Sequence, residues 1–188
     1  MRVAVAALVG SSVAAVPAEA FERPPSARGS AIDFHGWSRD SRLVAYTRRR
    51  IGRTRPDQRM QRFVESGEFT GFGRMVGGDV ATYARERGYV AAAAPKSRRS
   101  ESEVVFQVGE ERLVLTIEVG RSQVWRLARG QQVLAEHAFD RIYVGFEAEL
   151  HPSPDRTQAV LVMHLDTGWE IDAAIFPVSL NEQAPLPP

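Results

Sequence analysis

Between Glu103 and Glu149, apolar and polar residues alternate in short runs separated by turn residues. Glu103–Val108, Arg112–Val119, Gln123–Ala128, Val133–Ala138 and Arg141–Glu149 are rich in β-branched and aromatic side chains. Gly109-Glu110-Glu111, Gly120-Arg121-Ser122, Arg129-Gly130-Gln131 and a corner at Asp140 punctuate them. A strand and a turn in about every ten residues is the pattern of an antiparallel meander. The turn at Gly120 sets a register. With a three-residue loop, Ile117 faces Trp125 and Leu115 faces Leu127, while Thr116 faces Arg126 on the other side. That register separates apolar from polar, as a half-buried sheet requires, whereas a two-residue loop sets Leu115 against Arg126.

A second hairpin is expected where Gln158–Leu165 and Trp169–Val178 flank Asp166-Thr167-Gly168. Glycine at the end of a three-residue loop suits a left-handed position. This pairs Leu165 with Trp169, Met163 with Ile171 and Leu161 with Ala173, and on the opposite face His164 with Glu170 and Val162 with Asp172. One short helix is expected between Asp79 as N-cap and Gly88 as stop, with Val80, Tyr83, Ala84 and Arg87 on one side. Glu65–Gly78 reads as a glycine-rich loop. Ala91–Ser102 reads as another, with Pro95 and a basic patch at Lys96–Ser100. The pattern predicts a mainly β fold of nine or ten strands, in antiparallel meander sheets, with one short helix.

Two segments match at an offset of 115 residues, Trp37-Ser38-Arg39-Asp40-Ser41-Arg42-Leu43-Val44-Ala45-Tyr46 and Pro152-Ser153-Pro154-Asp155-Arg156-Thr157-Gln158-Ala159-Val160-Leu161. Each has serine, one residue, aspartate, a polar stretch and then a β-branched strand. An aspartate carboxylate at that place can accept backbone N–H bonds and fix a tight turn, so Ser38, Asp40, Ser153 and Asp155 are read as structural turn residues. The motif resembles the blade-opening turn of TolB-type β-propellers, where Ser-Pro-Asp-Gly precedes a Leu-Ala-Tyr/Phe strand. It departs from that pattern at Arg39, Ser41 and Arg156. It is more loosely similar to exported bacterial proteins that share the turn. A propeller needs about four blades of four strands. The resemblance therefore implies two blade-like sheets forming a sandwich or a partial, propeller-like barrel, and binding or envelope roles.

Met1–Ala20 reads as a secretory signal peptide. Arg2 is a minimal n-region, Val3–Val16 an apolar h-region, and Pro17-Ala18-Glu19-Ala20 a small-x-small cleavage site. About 14 apolar residues are too few to span a bilayer, which takes roughly 20, so no transmembrane anchor is expected. Phe21–Ser30 reads as an extended leader, residues 31–180 as one β-rich domain, and Asn181–Pro188 as a proline-rich tail. The expected location is secreted or periplasmic, and the arginine-rich, nearly lysine-free composition suits a bacterial source. The absence of cysteine excludes disulfides, thiolate metal sites and a cysteine nucleophile.

Net charge is only +1, but it is unevenly spread. Residues 39–62 hold nine arginines against Asp40 and Asp57, a net +7. Residues 136–182 hold nine acids against Arg141 and Arg156, a net −7. The basic stretch can bind an anionic envelope component such as lipid phosphates, pair with the acidic segment within or between chains, or be a solvated loop. Nucleic acid is not expected, since export removes it and the arginines lack interleaved aromatic platforms.

Catalytic motifs are sparse. Gly71-Phe72-Gly73-Arg74-Met75-Val76-Gly77-Gly78 lacks the third glycine of a dinucleotide loop and any G-K-[ST]. His35, His137, His151 and His164 form no close-spaced metal pair. Glu147 with Glu149, and Glu170 with Asp172, alternate as an exposed strand does. The residues predict a non-catalytic, exported, envelope-associated binding or structural module, with no cofactor or metal. Its contact patch would be Arg48, Arg49, Arg50, Arg53 and Arg55. Its partner would be an anionic envelope component or a protein, and self-association is compatible with the charge split. The alternative is a small hydrolase or cation-dependent enzyme centred on His164, Glu170 and Asp172.

Overall fold

A computed structural model of the chain describes residues 28–51, 57–63, 69–70, 79–99, 102–119 and 122–181. The elements are β1 (Arg28–Trp37), β2 (Leu43–Ile51), β3 (Asp57–Phe63), β4 (Phe69–Thr70), α1 (Val80–Glu86), β5 (Lys96–Arg99), β6 (Glu103–Val108), β7 (Glu111–Val119), β8 (Gln123–Arg129), β9 (Gln132–Phe139), β10 (Gly145–Pro152), β11 (Gln158–Asp166) and β12 (Glu170–Ser179). The fold is mainly β, with two sheets and one short helix, and neither sheet closes into a barrel. The residues of the expected signal peptide, most of the leader, and the tail after Asn181 lie outside the described part. Residues 28–30, expected in the leader, open β1.

Strands β5 to β9 form a five-stranded antiparallel meander. Its central hairpin has the register that the apolar pattern predicts: Leu115 opposite Leu127, Thr116 opposite Arg126, Ile117 opposite Trp125. The apolar members are buried. On the other face Arg126 bridges Glu118 at 3.0 Å and Glu136 at 2.7 Å. The basic patch at Lys96–Ser100 departs from expectation. Lys96–Arg99 is a strand, paired with β6 across a register irregularity between Lys96 and Arg98, not a loop.

The larger sheet has the order β10-β11-β12-β1-β2-β3-β4. All its pairings are antiparallel except β12 with β1, which run parallel and pair only at Arg28 with Glu170 and Gly29 with Ile171. Beyond Gly29 the first strand leaves the ladder and lies over the face of β11 and β12. Ile32, Trp37, Val44 and Tyr46 pack there against Val160, Val162 and Ala173. The opposite face of β10 to β12 offers Phe146, Ala148, Leu150, Ala159, Leu161, Met163 and Leu165 to the five-stranded meander. Strand β11 is therefore an inner strand covered on both sides, which is why Ala159-Val160-Leu161-Val162-Met163 runs unbroken without alternation.

The helix forms where its caps place it. Asp79 accepts from the Ala81 and Thr82 N–H groups at 3.2 and 3.3 Å, and Gly88 turns the chain out at φ +68°. Buried Val80 and Ala84 set it against β1 and β2.

The β11–β12 hairpin corrects the expected register. Leu165 lies opposite Asp172 and not Trp169, Met163 opposite Ala174, Leu161 opposite Phe176, and His164 opposite Ala173. The turn explains the change. The Asp166 carboxylate accepts from Gly168 N–H at 2.6 Å, the Thr167 hydroxyl accepts from Trp169 and Glu170 N–H, and Thr167 N–H donates to Glu170 carbonyl at 2.9 Å. These bonds tie off Trp169 in the loop. A slip by an odd number of residues exchanges the two faces of a strand, so Ala174 and Phe176 point to the larger core. Arg141–Val144, expected as strand, is likewise loop, and β10 begins at Gly145.

Candidate functional site

The two matching turns are built alike and touch. In the first, the Ser38 hydroxyl donates to Asp40 at 2.6 Å and accepts from Leu43 N–H at 2.9 Å. In the second, the Ser153 hydroxyl donates to Asp155 at 2.6 Å and accepts from Gln158 N–H at 3.1 Å. Ser41 and Arg156 take φ +58° and +59°. Glycine takes this left-handed backbone most readily, and here Ser41 and Arg156 adopt it with side chains. Ser41 Oγ accepts from the Asp155 N–H at 3.4 Å, which places one turn against the other. The Trp37 indole N–H donates to the buried carbonyl of His151 at 3.0 Å, and the His151 ring stacks on Phe34 with centroids 4.4 Å apart. Ser38, Asp40, Ser153 and Asp155 thus make the hydrogen bonds that close the two turns.

Both turn aspartates sit below the ordinary aspartate value of 3.8. For Asp40 the Ser38 hydroxyl is the main cause. For Asp155, burial pushes upward, and hydrogen bonds from Ser153, Thr157 and Ser41 together outweigh it. A carboxylate whose folded value is lowered stabilises the fold above its unfolded pKa and loses that contribution as pH falls through the folded value. The melting temperature is therefore expected to fall as pH drops from about 4 toward 2, and to fall less in a chain carrying Asp40→Asn and Asp155→Asn. Equal acid sensitivity in that variant would remove the turns from the explanation.

The constellation of His164, Glu170 and Asp172 is not assembled. His164 lies on the face covered by β1, where its Nε2 is 3.3 Å from Ile32 N. Asp172 lies opposite Leu165, on the other face, within 3.5 Å of Arg141 and 3.4 Å of the Tyr143 hydroxyl. Glu170 pairs along the backbone with Arg28 at the start of β12. Glu147 and Glu149 share a face with buried His151, whose Nε2 comes within 3.3 Å of Glu149. Neither buried His151 nitrogen makes a hydrogen bond of good geometry. Even so, the His151 ring holds the Glu149 carboxyl below the ordinary 4.5, against the opposing effect of burial. Among the described residues no group of three or more such side chains is arranged to hold a metal ion, and no helix is long and apolar enough to cross a membrane.

The described part of the arginine patch is strand, not loop. Arg48, Arg49 and Arg50 are consecutive, exposed residues of β2, and Arg53 and Arg55 lie outside the described residues. Arg49 grips Asp33 with two bonds, at 2.6 and 2.8 Å. This hydrogen-bonded pairing lowers the Asp33 carboxyl and raises the Arg49 guanidinium. Arg48 donates to the Ala173 carbonyl at 3.0 Å. Arg50 stands opposite Ser30, next to the pair of Gly29 and Ile51. The side chains of Arg48 and Arg49 are thereby oriented, which lowers the entropy lost when they meet a partner.

The same end carries apolar side chains that the expected register hid. Trp169 is 89% exposed, Val144 73% and Ile142 61%. The two loops that present them are tied together by Val144 N–H donating to the Asp166 carbonyl at 2.7 Å. Asp140 and Glu170 are exposed beside them, with Asp166 half-buried. The end is shared because Glu170 pairs with Arg28 and Ile171 with Gly29, while Gly29 pairs in turn with Ile51 on the arginine strand. Among the described residues, no ion pair joins the basic segment 39–62 to the acidic segment 136–182. A cavity of about 440 Å³ at the other end is lined by Glu110, Glu111, Arg129 and Arg156. There Arg129 is already engaged by Glu111 at 2.8 Å and the Leu180 carbonyl at 2.7 Å.

Comparison with known protein families, with curated proteins and with solved structures gives no match.

Proposed function

We propose that this protein is an exported, envelope-associated binding or structural module without a catalytic role, and that the Arg48–Arg50 strand is its contact surface. The observation that carries the reading is three consecutive exposed arginines on a paired strand, Arg49 on one face held by Asp33, and Arg48 with Arg50 on the other, Arg48 held by the Ala173 carbonyl. A guanidinium held in place suits a carboxylate or phosphate better than a mobile one, because it is already aimed. The separation of His164 from Asp172 across a sheet leaves the enzyme alternative without an assembled site among the described residues.

The test is capture of envelope components by the immobilised full chain at low and high salt, with an Arg48→Glu, Arg50→Glu variant alongside. A retained partner should be lost at high salt and bind the variant about tenfold more weakly, since exposed charge pairs are screened and their reversal repels. Retention that ignores both salt and reversal overturns the reading.

A further inference from the structure

We infer that the occupant of this end is a second copy of the chain, joined across a two-fold axis. The inference rests on the reading of Arg48–Arg50 as a contact surface and names its partner.

The end has two unlike lobes. One is apolar with an acidic rim: Trp169, Val144 and Ile142 project from two loops, bordered by Asp140, Asp166 and Glu170. Arg141, beside it, is engaged by Asp172. The other lobe is the basic strand, where Asp33 offsets Arg49 and, among the described residues, no acid pairs with Arg48 or Arg50. Among the described residues no ion pair joins the two lobes within one chain. Two strand spacings, at about 5 Å each, separate Ile171 from Ile51.

Exposed aromatic side chains held in tied turns are the anchors from which interfaces are built. The rim decides between possible occupants. An anionic bilayer attracts the arginines but repels Asp140, Asp166 and Glu170 around Trp169. A partner for the whole end must bring guanidinium groups to the acidic lobe and carboxylates to the basic one. A second copy turned through a two-fold axis does both, because an isologous interface sets each lobe against the other's complement. In that arrangement an arginine of one protomer meets the Trp169 ring of its partner, a favourable cation–π contact.

Sedimentation equilibrium of the full chain tests this, with tryptophan emission as a second readout. Trp37 and Trp125 are buried, so a concentration-dependent blue shift reports Trp169. The expected result is a salt-sensitive dimer, weakened about thirtyfold by Trp169→Ala and at least tenfold by Arg50→Glu. Circular dichroism of each variant checks that it is folded. A mixture of an Arg48→Glu, Arg50→Glu chain with an Asp140→Arg, Glu170→Arg chain should form heterodimers that neither forms alone. A chain that stays monomeric to about 100 µM, or a dimer indifferent to these folded variants, overturns the proposal. So does binding to vesicles of anionic lipid that Trp169→Ala abolishes in a monomeric chain. If the monomer still captures a partner in a salt-sensitive, reversal-sensitive way, the contact-surface reading survives. If capture also fails, both fall.

Discussion

Replacing Gly29 by alanine is expected to destabilise the fold by at least about 3 kcal/mol, the range of substitutions that strain a backbone or force packed elements apart. Gly29 sits at φ +138°, where an L side chain is strained. A Cβ there would lie 2.0 Å from the Ile171 carbonyl oxygen and 2.7 Å from its carbon. Those atoms belong to the backbone of β12 and cannot swing aside. The parallel β1–β12 ladder has only two residue pairs, so a single rung, Arg28 with Glu170, is left to hold the ladder while this one gives way. The consequence is specific. The layer of β1 and β2 should part from β11 and β12, opening the smaller core around Trp37, Val44 and Val160. Urea unfolding measures the loss, and hydrogen exchange should show Val44–Thr47 amides losing protection before those of β7 and β8. Gly130→Ala is the control. That glycine is also left-handed, at φ +56°, but nothing lies within 4 Å of its added carbon, so it should cost only about 1 kcal/mol. Equal costs at the two sites would show that the close approach to β12 does not govern Gly29.

Leu161→Ala is expected to cost about 3 to 4 kcal/mol, within the span for a fully buried leucine. Leu161 has no exposed surface and points from the inner strand into the larger core, opposite Phe176. Its neighbours along the strand, Val160 and Val162, are buried on the other side by β1 and β2. A strand clamped on both faces cannot shift to fill a cavity on one without disturbing the other, so little of the lost packing is recovered. Val133→Ala, at a side chain 48% exposed on β9, should change stability by less than about 0.5 kcal/mol. Chemical denaturation of the two variants makes the comparison. A loss below about 1 kcal/mol for Leu161→Ala would contradict the covered inner strand.

Together these substitutions test the layering on which the candidate surface depends. The arginines of β2 and the loop of Trp169 share one end of the molecule only because β1 joins β12 at Gly29 and then crosses over it. A variant that parts the layers should also weaken whatever the arginine strand binds. Its binding is therefore informative only when its fold has been checked.

What the sequence determined by itself was local. The alternation from Glu103 to Arg129 sorted apolar from polar in only one register about Gly120, and that register is present. The Asp79 and Gly88 caps bounded the helix because they satisfy backbone groups within a few residues. The serine–aspartate turns form as the residues suggest, since their bonds span only five positions. The tertiary structure decided the rest. The β11–β12 register followed hydrogen bonds of Asp166 and Thr167 that released Trp169, which apolar matching had drawn inward. Covering β11 on both faces erased the alternation that would have assigned its sides. The contact of the two turns, and the placing of Trp169 at the same sheet end as the arginine strand, bring together residues more than a hundred positions apart. Periodicity reports which face of an element is apolar, but it carries no information about which other element covers that face.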